Sequence, residues 1–220
     1  MQLTRDSLLA RTRLVPAFPT PVFTYRLPEA DAVNAALMPT ILAEEKRYAS
    51  KGYSNFGGWH SGYSFEDWGG PPLQKILEAA KTLAASATKQ RLGEEDAPPP
   101  RWQIKCWANV IRRGNANNMH NHVGCYWSGA YYLEAGEAGQ SESAGGLLVF
   151  HDPRNGAVSL DLARARGGAE THPVVVPETG VLVLFPSWLT HSVTPYLGSG
   201  VRISVGVNLA ISAAARGLLD

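Results

Sequence analysis

Val201-Arg-Ile-Ser-Val-Gly-Val-Asn-Leu209 alternates without a break: Val201, Ile203, Val205, Val207 and Leu209 take the odd positions, and Arg202, Ser204, Gly206 and Asn208 the even ones. Side chains of an extended chain point to opposite faces with period two, so this stretch is a strand with one apolar face and one small, polar face. The apolar face must pack against neighbours. The other carries a single arginine among small residues, as the floor of an anion-binding cavity would. Upstream, Arg101 to Ile111, Ser128 to Glu134, Gly146 to His151, Val174 to Val176 and Val181 to Phe185 are likewise short, β-branched or aromatic, and separated by Gly, Pro, Asn or Asp. Many short strands with turn chemistry between them predict a sandwich or barrel.

Before the strands the pattern is helical. Leu73, Ile76, Leu77, Ala80, Leu83 and Ala84 recur at helical spacing behind Pro71-Pro72, where proline is tolerated at a helix start. A second helix is expected over much of Ala30 to Tyr48, with Val33, Leu37 and Ile41 on one stripe and Pro39 either kinking it or marking its beginning. Between them Ser54-Asn-Phe-Gly-Gly-Trp-His-Ser-Gly-Tyr63 reads as an irregular loop of the kind that wraps over a pocket. Gly93-Glu-Glu-Asp-Ala-Pro-Pro-Pro100 reads as an exposed linker. Residues 1–220 are expected to form one domain, with 1–92 as helical support and loop and 101–210 as a mainly β core.

Composition narrows the function. The chain has 220 residues, 45% of them hydrophobic, enough for a real core. A net charge of +1 gives no electrostatic reason to expect nucleic acid or an anionic membrane. The start carries no apolar signal and no stretch approaches membrane-spanning length, so the expected location is the cytoplasm. Cys106 and Cys125 are too few for a disulfide framework, which suits a reducing compartment.

The chemistry is carried by histidines. His120 and His122 stand two residues apart just before the strand ending in Tyr131-Tyr132-Leu133, so on extended backbone their imidazoles point the same way. His191 opens an expected hairpin that runs through Pro195 to Arg202. Three imidazoles on one side of a divalent first-row metal leave positions for a chelating substrate and dioxygen, the arrangement of non-haem iron oxygenases. A guanidinium deeper in the barrel offers a bidentate fork for a carboxylate. A keto-acid with a second carboxylate would span the two.

Phe18-Pro-Thr-Pro-Val22, Ser54-Asn55, Gly58-Trp-His-Ser61, Trp107-Ala-Asn109, His120-Asn-His122, Ser128-Gly-Ala-Tyr-Tyr-Leu133, Gly145-Gly-Leu-Leu-Val-Phe150, Asp152-Pro-Arg154, Phe185-Pro-Ser-Trp-Leu-Thr-His191 and Arg202-Ile-Ser204 follow one another in an order and spacing that resemble the 2-oxoglutarate/Fe(II)-dependent oxygenase superfamily. The resemblance is nearest to the prolyl-hydroxylase-like branch and to a group of its members from bacteria and phages. It implies a double-stranded β-helix, or cupin-like jelly roll, with helices on one side. It also implies that His120 and His191 ligate Fe(II), that His122 stands where the superfamily's carboxylate normally stands, and that Arg202 holds the distal carboxylate of 2-oxoglutarate, helped by Tyr132 and Ser204. The reaction implied is oxidative decarboxylation of 2-oxoglutarate to succinate and carbon dioxide, coupled to hydroxylation of a small molecule or peptide. Three neutral imidazoles leave the metal's double charge uncompensated by protein, a deficit that a dianionic cosubstrate would supply.

Two other readings stay open on the residues alone. One is a three-histidine cupin dioxygenase that binds its substrate directly, with Arg202 clamping the substrate's carboxylate. The other is a metal-binding jelly roll without catalysis, serving as a ligand-binding or assembly module, for example within a phage particle. Trp107 and Asn109 are candidates for the pocket wall, and His60 either approaches the substrate opening or pins its loop. Asn117 and Asn118 read as backbone caps, and Asp152 as a turn residue rather than a carboxylate ligand. Tyr126 and Trp127 read as packing, and Cys106 as a small buried hydrophobe. His151 and His172 read as solvated, and Cys125 as close enough to the expected metal to be oxidised adventitiously, with nothing to mark it as a nucleophile. Gly136 to Gly145 reads as a mobile insertion able to act as a lid.

Overall fold

The computed structural model describes residues 20–211 except 94, 95, 97, 99, 140, 141 and 154–173. Phe18, Arg154 and His172 therefore lie outside the described residues. The elements in chain order are β1 (Phe23–Arg26), α1 (Ala30–Arg47), β2 (Asn55–Phe56), β3 (Trp59–His60), α2 (Phe65–Trp68), α3 (Gly70–Leu92), β4 (Trp102–Ile111), β5 (Ala116–His120), β6 (Trp127–Glu134), β7 (Leu148–Phe150), β8 (Val174–Val175), β9 (Val181–Pro186), β10 (His191–Val193) and β11 (Arg202–Ile211).

The strands form two antiparallel sheets, one of six strands in the order β1-β9-β6-β11-β4-β3 and one of five in the order β2-β5-β10-β7-β8. This is the mainly β, jelly-roll architecture expected, with the helices packed on the six-stranded sheet. The alternation at 201–209 plays out directly. Ile203, Val205, Val207 and Leu209 are completely buried in one core with Leu73, Ile76, Leu77 and Ala80 of α3 and Val33, Leu37 and Ile41 of α1. The even face of β11 looks inward between the sheets, where Arg202, Ser204 and Asn208 are also buried. Register places Ser204 between Asn109 of β4 and Tyr132 of β6, and Asn208 between Lys105 and Ser128.

Several expectations are corrected. α1 runs through Pro39 as one helix and does not begin there; the proline sits on the exposed side, where water can solvate the carbonyl its ring leaves without a donor. The glycine-aromatic loop contains two strands, β2 pairing with β5 and β3 with β4, so it ties one sheet to the other. His191 and Arg202 are not joined by a hairpin, because β10 and β11 belong to different sheets. Asn117 and Asn118 are not caps: both lie in β5, and the Asn118 N–H donates to the Ser54 carbonyl. The described part of 136–145 folds into two short 3-10 turns, with Ala138 buried and the Glu137 N–H donating to the Tyr196 hydroxyl, so it is anchored rather than lid-like.

Candidate metal and cosubstrate site

His120 ends β5 and His191 begins β10, and the two residues face each other directly in the β5–β10 register. The chain then leaves β5, and the His122 N–H donates to the Ser187 carbonyl beyond β9, which holds the second histidine beside the first pair. The three rings pack with centroids 5.0 Å (His120–His122), 4.4 Å (His120–His191) and 5.1 Å (His122–His191) apart. One ring nitrogen from each lies within 4.8 Å of the others, the donor set a metal ion needs.

The rings are held from behind. His120 Nδ1 is 2.7 Å from the Asn118 carbonyl and His191 Nδ1 is 2.9 Å from the Leu189 carbonyl, so each is oriented by the backbone two residues before it. His122 Nδ1 instead meets the Asn208 side-chain amide at 3.2 Å, and that amide's oxygen accepts the Ser128 hydroxyl at 2.8 Å. Burial favours neutral rings throughout. Desolvation, reinforced by His120, lowers His122 to about 4, and desolvation with both neighbouring imidazoles lowers His191 to about 3; His120 shifts the same way, again through desolvation. Neutral imidazole is the form that binds a metal.

Arg202 is buried, and no carboxylate lies within ion-pair distance of it among the described residues. Its guanidinium carbon sits 4.9 Å from the Tyr132 ring centroid, and both its Nε and the Tyr132 hydroxyl oxygen lack a hydrogen-bond partner. Desolvation pushes the guanidinium down and the Tyr132 phenol up, each partly offset by the other. A buried cation with an unsatisfied N–H is costly unless an anion joins it, so the donor chemistry suits a carboxylate ligand. From Tyr132 an apolar cluster with Phe150, Val183 and Phe185 leads toward the metal face, with the Phe185 ring 4.7 Å from His191.

On the other side of the histidines a cleft of about 430 Å³ opens to solvent, lined by Tyr53, Ser54, His60, Tyr63, Trp107 and Asn118 to His122. The Trp107 ring lies 5.7 Å from His122 and stacks on His60 at 5.6 Å and 8°. His60 both pins its loop and reaches the opening: Nδ1 accepts the Gly62 N–H at 2.9 Å, and desolvation lowers the ring to about 4. Asn109, on the same strand face as Trp107, accepts a 3.4 Å contact from the Asn55 amide.

Residues 105–208 match the sequence profile of a family described as "Putative 2OG-Fe(II) oxygenase". The matched segment, just under half of the chain, is similar to the 2OG-Fe(II) oxygenase family. The fold agrees. A prolyl-4-hydroxylase from Pseudomonas putida superposes with a TM-score of 0.61 at 17% identity, over 88% of this chain and 94% of that one. A Trichoplax adhaerens prolyl hydroxylase, in complex with a hypoxia inducible factor oxygen degradation domain peptide fragment, gives 0.61 at 15% identity over 90% and 87%. HygX from Streptomyces hygroscopicus, with nickel and 2-oxoglutarate bound, gives 0.53 at 12% over 96% and 89%. No curated protein matches the chain. Fe(II) and 2-oxoglutarate are thus the cofactor and cosubstrate of this family, and the histidine cluster and the unpaired Arg202 lie within its matched span.

Among the remaining candidates, Asp152 is no member of the histidine cluster. His151 is not solvated as expected: it is half-buried, with Nε2 2.9 Å from the Ser192 hydroxyl. Trp127 is packing, fully buried with its N–H donated to Thr88. Burial pushes the Cys106 thiol up to about 12, and raises that of Cys125 too. The cleft includes Tyr63, the last residue of the loop expected to wrap over a pocket, and also Tyr53 just before that loop, which the sequence does not single out. Nor does it single out Asn208, whose signal is the strand face it shares with Arg202, or Ser128, which shares a face of β6 with Tyr132. No helix among the described residues is long and apolar enough to cross a membrane.

Proposed function

We propose that the protein hydroxylates a substrate held over the Tyr53–Tyr63–Trp107 cleft, converting 2-oxoglutarate to succinate and carbon dioxide, and that residues 1–220 act as one catalytic unit. His120, His122 and His191 hold Fe(II) through neutral imidazoles. Arg202 takes the distal carboxylate of 2-oxoglutarate, with the Tyr132 hydroxyl as a second donor and Ser204 beside both. The observation that carries this reading is the buried guanidinium without a carboxylate partner, on the same inner wall as the strand residue that touches His122.

The bound iron supplies activation of dioxygen and the oxidation of a C–H bond. The chain does the rest. The backbone carbonyls of Asn118 and Leu189 keep two imidazoles aimed, Phe150 and Phe185 keep the interior dry, and Trp107, His60 and Asn109 shape the opening where the substrate's C–H bond is presented. The open cleft admits a small molecule or a peptide segment, as the peptide complex of the Trichoplax relative illustrates for that protein. The two cysteines, both unpaired, suit a cytoplasmic setting.

Anaerobic addition of Fe(II) and then 2-oxoglutarate is expected to develop the weak visible charge-transfer band of the chelate, and aerobic turnover to release succinate. His122 in place of a carboxylate favours one rival, a three-histidine dioxygenase without 2-oxoglutarate; oxygen uptake with no dependence on 2-oxoglutarate would establish that rival instead.

A further inference from the structure

A neutral imidazole has one N–H and one lone pair, and only the nitrogen with the lone pair can bind a metal. For His120 and His191 the choice is made by carbonyl oxygens, which can only accept. Their Nδ1 atoms, 2.7 Å and 2.9 Å from the Asn118 and Leu189 carbonyls, must carry the proton, and Nε2 is left free for an ion. His122 differs. Its Nδ1 faces Nδ2 of Asn208, an N–H donor, while Oδ1 of the same amide accepts the Ser128 hydroxyl. In this arrangement Nδ1 accepts and the proton belongs on Nε2, so two rings offer lone pairs to the ion and the third offers an N–H.

The pair that sets this arrangement is reversible. Rotating the Asn208 amide by half a turn presents Oδ1 to His122 and Nδ2 to Ser128, whose hydroxyl accepts as readily as it donates. Both hydrogen bonds survive, and the His122 proton moves from Nε2 to Nδ1 through solvent with no net gain or loss. Ser128 and Asn208 are buried on adjacent positions of β6 and β11, so no other orientation satisfies both amide atoms as simply.

We propose that Asn208, backed by Ser128, is a positioning residue that selects the tautomer of His122, and that turning its amide converts His122 from a bystander into the third metal ligand. The proposal rests on the metal reading above. The metal-free protein would then hold His122 with its proton on Nε2, unlike its two neighbours, and ion binding would carry the cost of reversing the amide.

Co(II) alone serves as the probe, with imidazole tautomers read by long-range proton–nitrogen NMR before and after its addition. Metal-free wild type should show His120 and His191 protonated on Nδ1 and His122 on Nε2, with His122 switching when Co(II) binds. Asn208→Asp, whose carboxylate can only accept, should place the His122 proton on Nδ1 before any metal is added and retain or tighten Co(II) binding. Asn208→Leu should weaken it by about ten- to a hundredfold. Ser128→Ala, a milder change should the leucine variant not fold, should weaken it less and blur the tautomer preference. The proposal is overturned if metal-free wild type already holds the His122 proton on Nδ1, or if Asn208→Leu and Ser128→Ala bind Co(II) with wild-type affinity and visible spectrum. Failure of wild type to bind Co(II) at all would remove the metal reading, while the tautomers of wild type and Asn208→Asp would still decide what Asn208 does.

Discussion

The two sheets are built differently. In the six-stranded sheet β4 and β11 are ten residues each and pair at ten consecutive positions, and the helices lie against the outer face. In the five-stranded sheet no strand exceeds five residues; each sheet carries one register shift among its described pairings, between His191 and Val193 in the short one and between Ile203 and Ser204 in the long one. The long sheet carries Arg202, Tyr132, Ser204 and Asn208; the short one carries His120 and His191. In the proposed reading the anion anchor is built into the main scaffold, whereas His120 and His191 stand on short strands and are aimed by their own backbone, and His122 by the Asn208 side chain. Loss of the arginine should leave metal binding intact and loss of a short-sheet histidine should leave the scaffold intact, with the Asn208–His122 contact as a link between the two regions.

The largest expected effect tests that separation at the metal. His191→Ala removes a ligand and should weaken Fe(II) or Co(II) binding by more than about a hundredfold, beyond what loss of a supporting residue does. Thermal unfolding of the metal-free variant should stay within a few degrees of wild type, about 3 °C for each kcal/mol in a chain of this size. A collapse of the midpoint would mean that the short sheet is a structural keystone. At the opposite end, Arg202→Ala should leave Co(II) affinity in the absence of cosubstrate unchanged and raise the dissociation constant of 2-oxoglutarate about a hundredfold, roughly 3 kcal/mol for a lost charge-assisted pair. Isothermal titration reads both quantities, and unchanged 2-oxoglutarate affinity would remove Arg202 from its assigned role.

Gly206 lies within the long sheet against Trp107, whose ring is 5.7 Å from that of His122. A Cβ there would fall 2.2 Å from the Trp107 ring, so the indole occupies the space a side chain would need. Gly206→Ala should cost about 1–3 kcal/mol through overpacking and displace Trp107 toward the cleft. The midpoint and the tryptophan fluorescence should both move. A stability loss with unchanged fluorescence would show that the scaffold, and not the indole, absorbs the strain.

The same contrast explains what could be read from residues alone. Nine alternating residues at 201–209 announce a strand with an inward polar face because both faces are long enough to establish a period. The stripes of α1 and α3 are equally plain. β2 and β3, at two residues each, carry no period and follow only from pairing with distant strands; β5 was hidden because Asn117 and Asn118 are turn formers that tertiary pairing overrides. The His191–Arg202 connection misled for a related reason: two strands close in sequence suggest a hairpin, whereas the jelly roll sends them to opposite sheets. The His120–His122 spacing survived because ligand convergence depends on a local repeat and one long-range pairing. Asn208 was visible as a position but not as a partner, since nothing in the chain says which imbalance of donors faces it.

The smallest expected effect concerns pH. His60, His120, His122 and His191 are all shifted down by burial, three of them to between about 3 and 4. Above roughly pH 6.5 these rings are neutral in folded and unfolded chains alike and add nothing to pH dependence. As pH falls below that value the unfolded chain binds protons that the folded, metal-free protein refuses, so stability declines toward pH 4. His60 isolates the cleft from the metal, since it accepts from Gly62 and belongs to β3 of the long sheet. His60→Gln should bind roughly one proton fewer on unfolding between pH 6.5 and about 4, which appears as a shallower slope of stability against pH in denaturant titrations. The remaining slope would belong to the three convergent rings. A slope that His60→Gln leaves untouched would mean that His60 already exchanges protons with the open cleft, and that the aromatic wall around it is wetter than its stacking on Trp107 suggests.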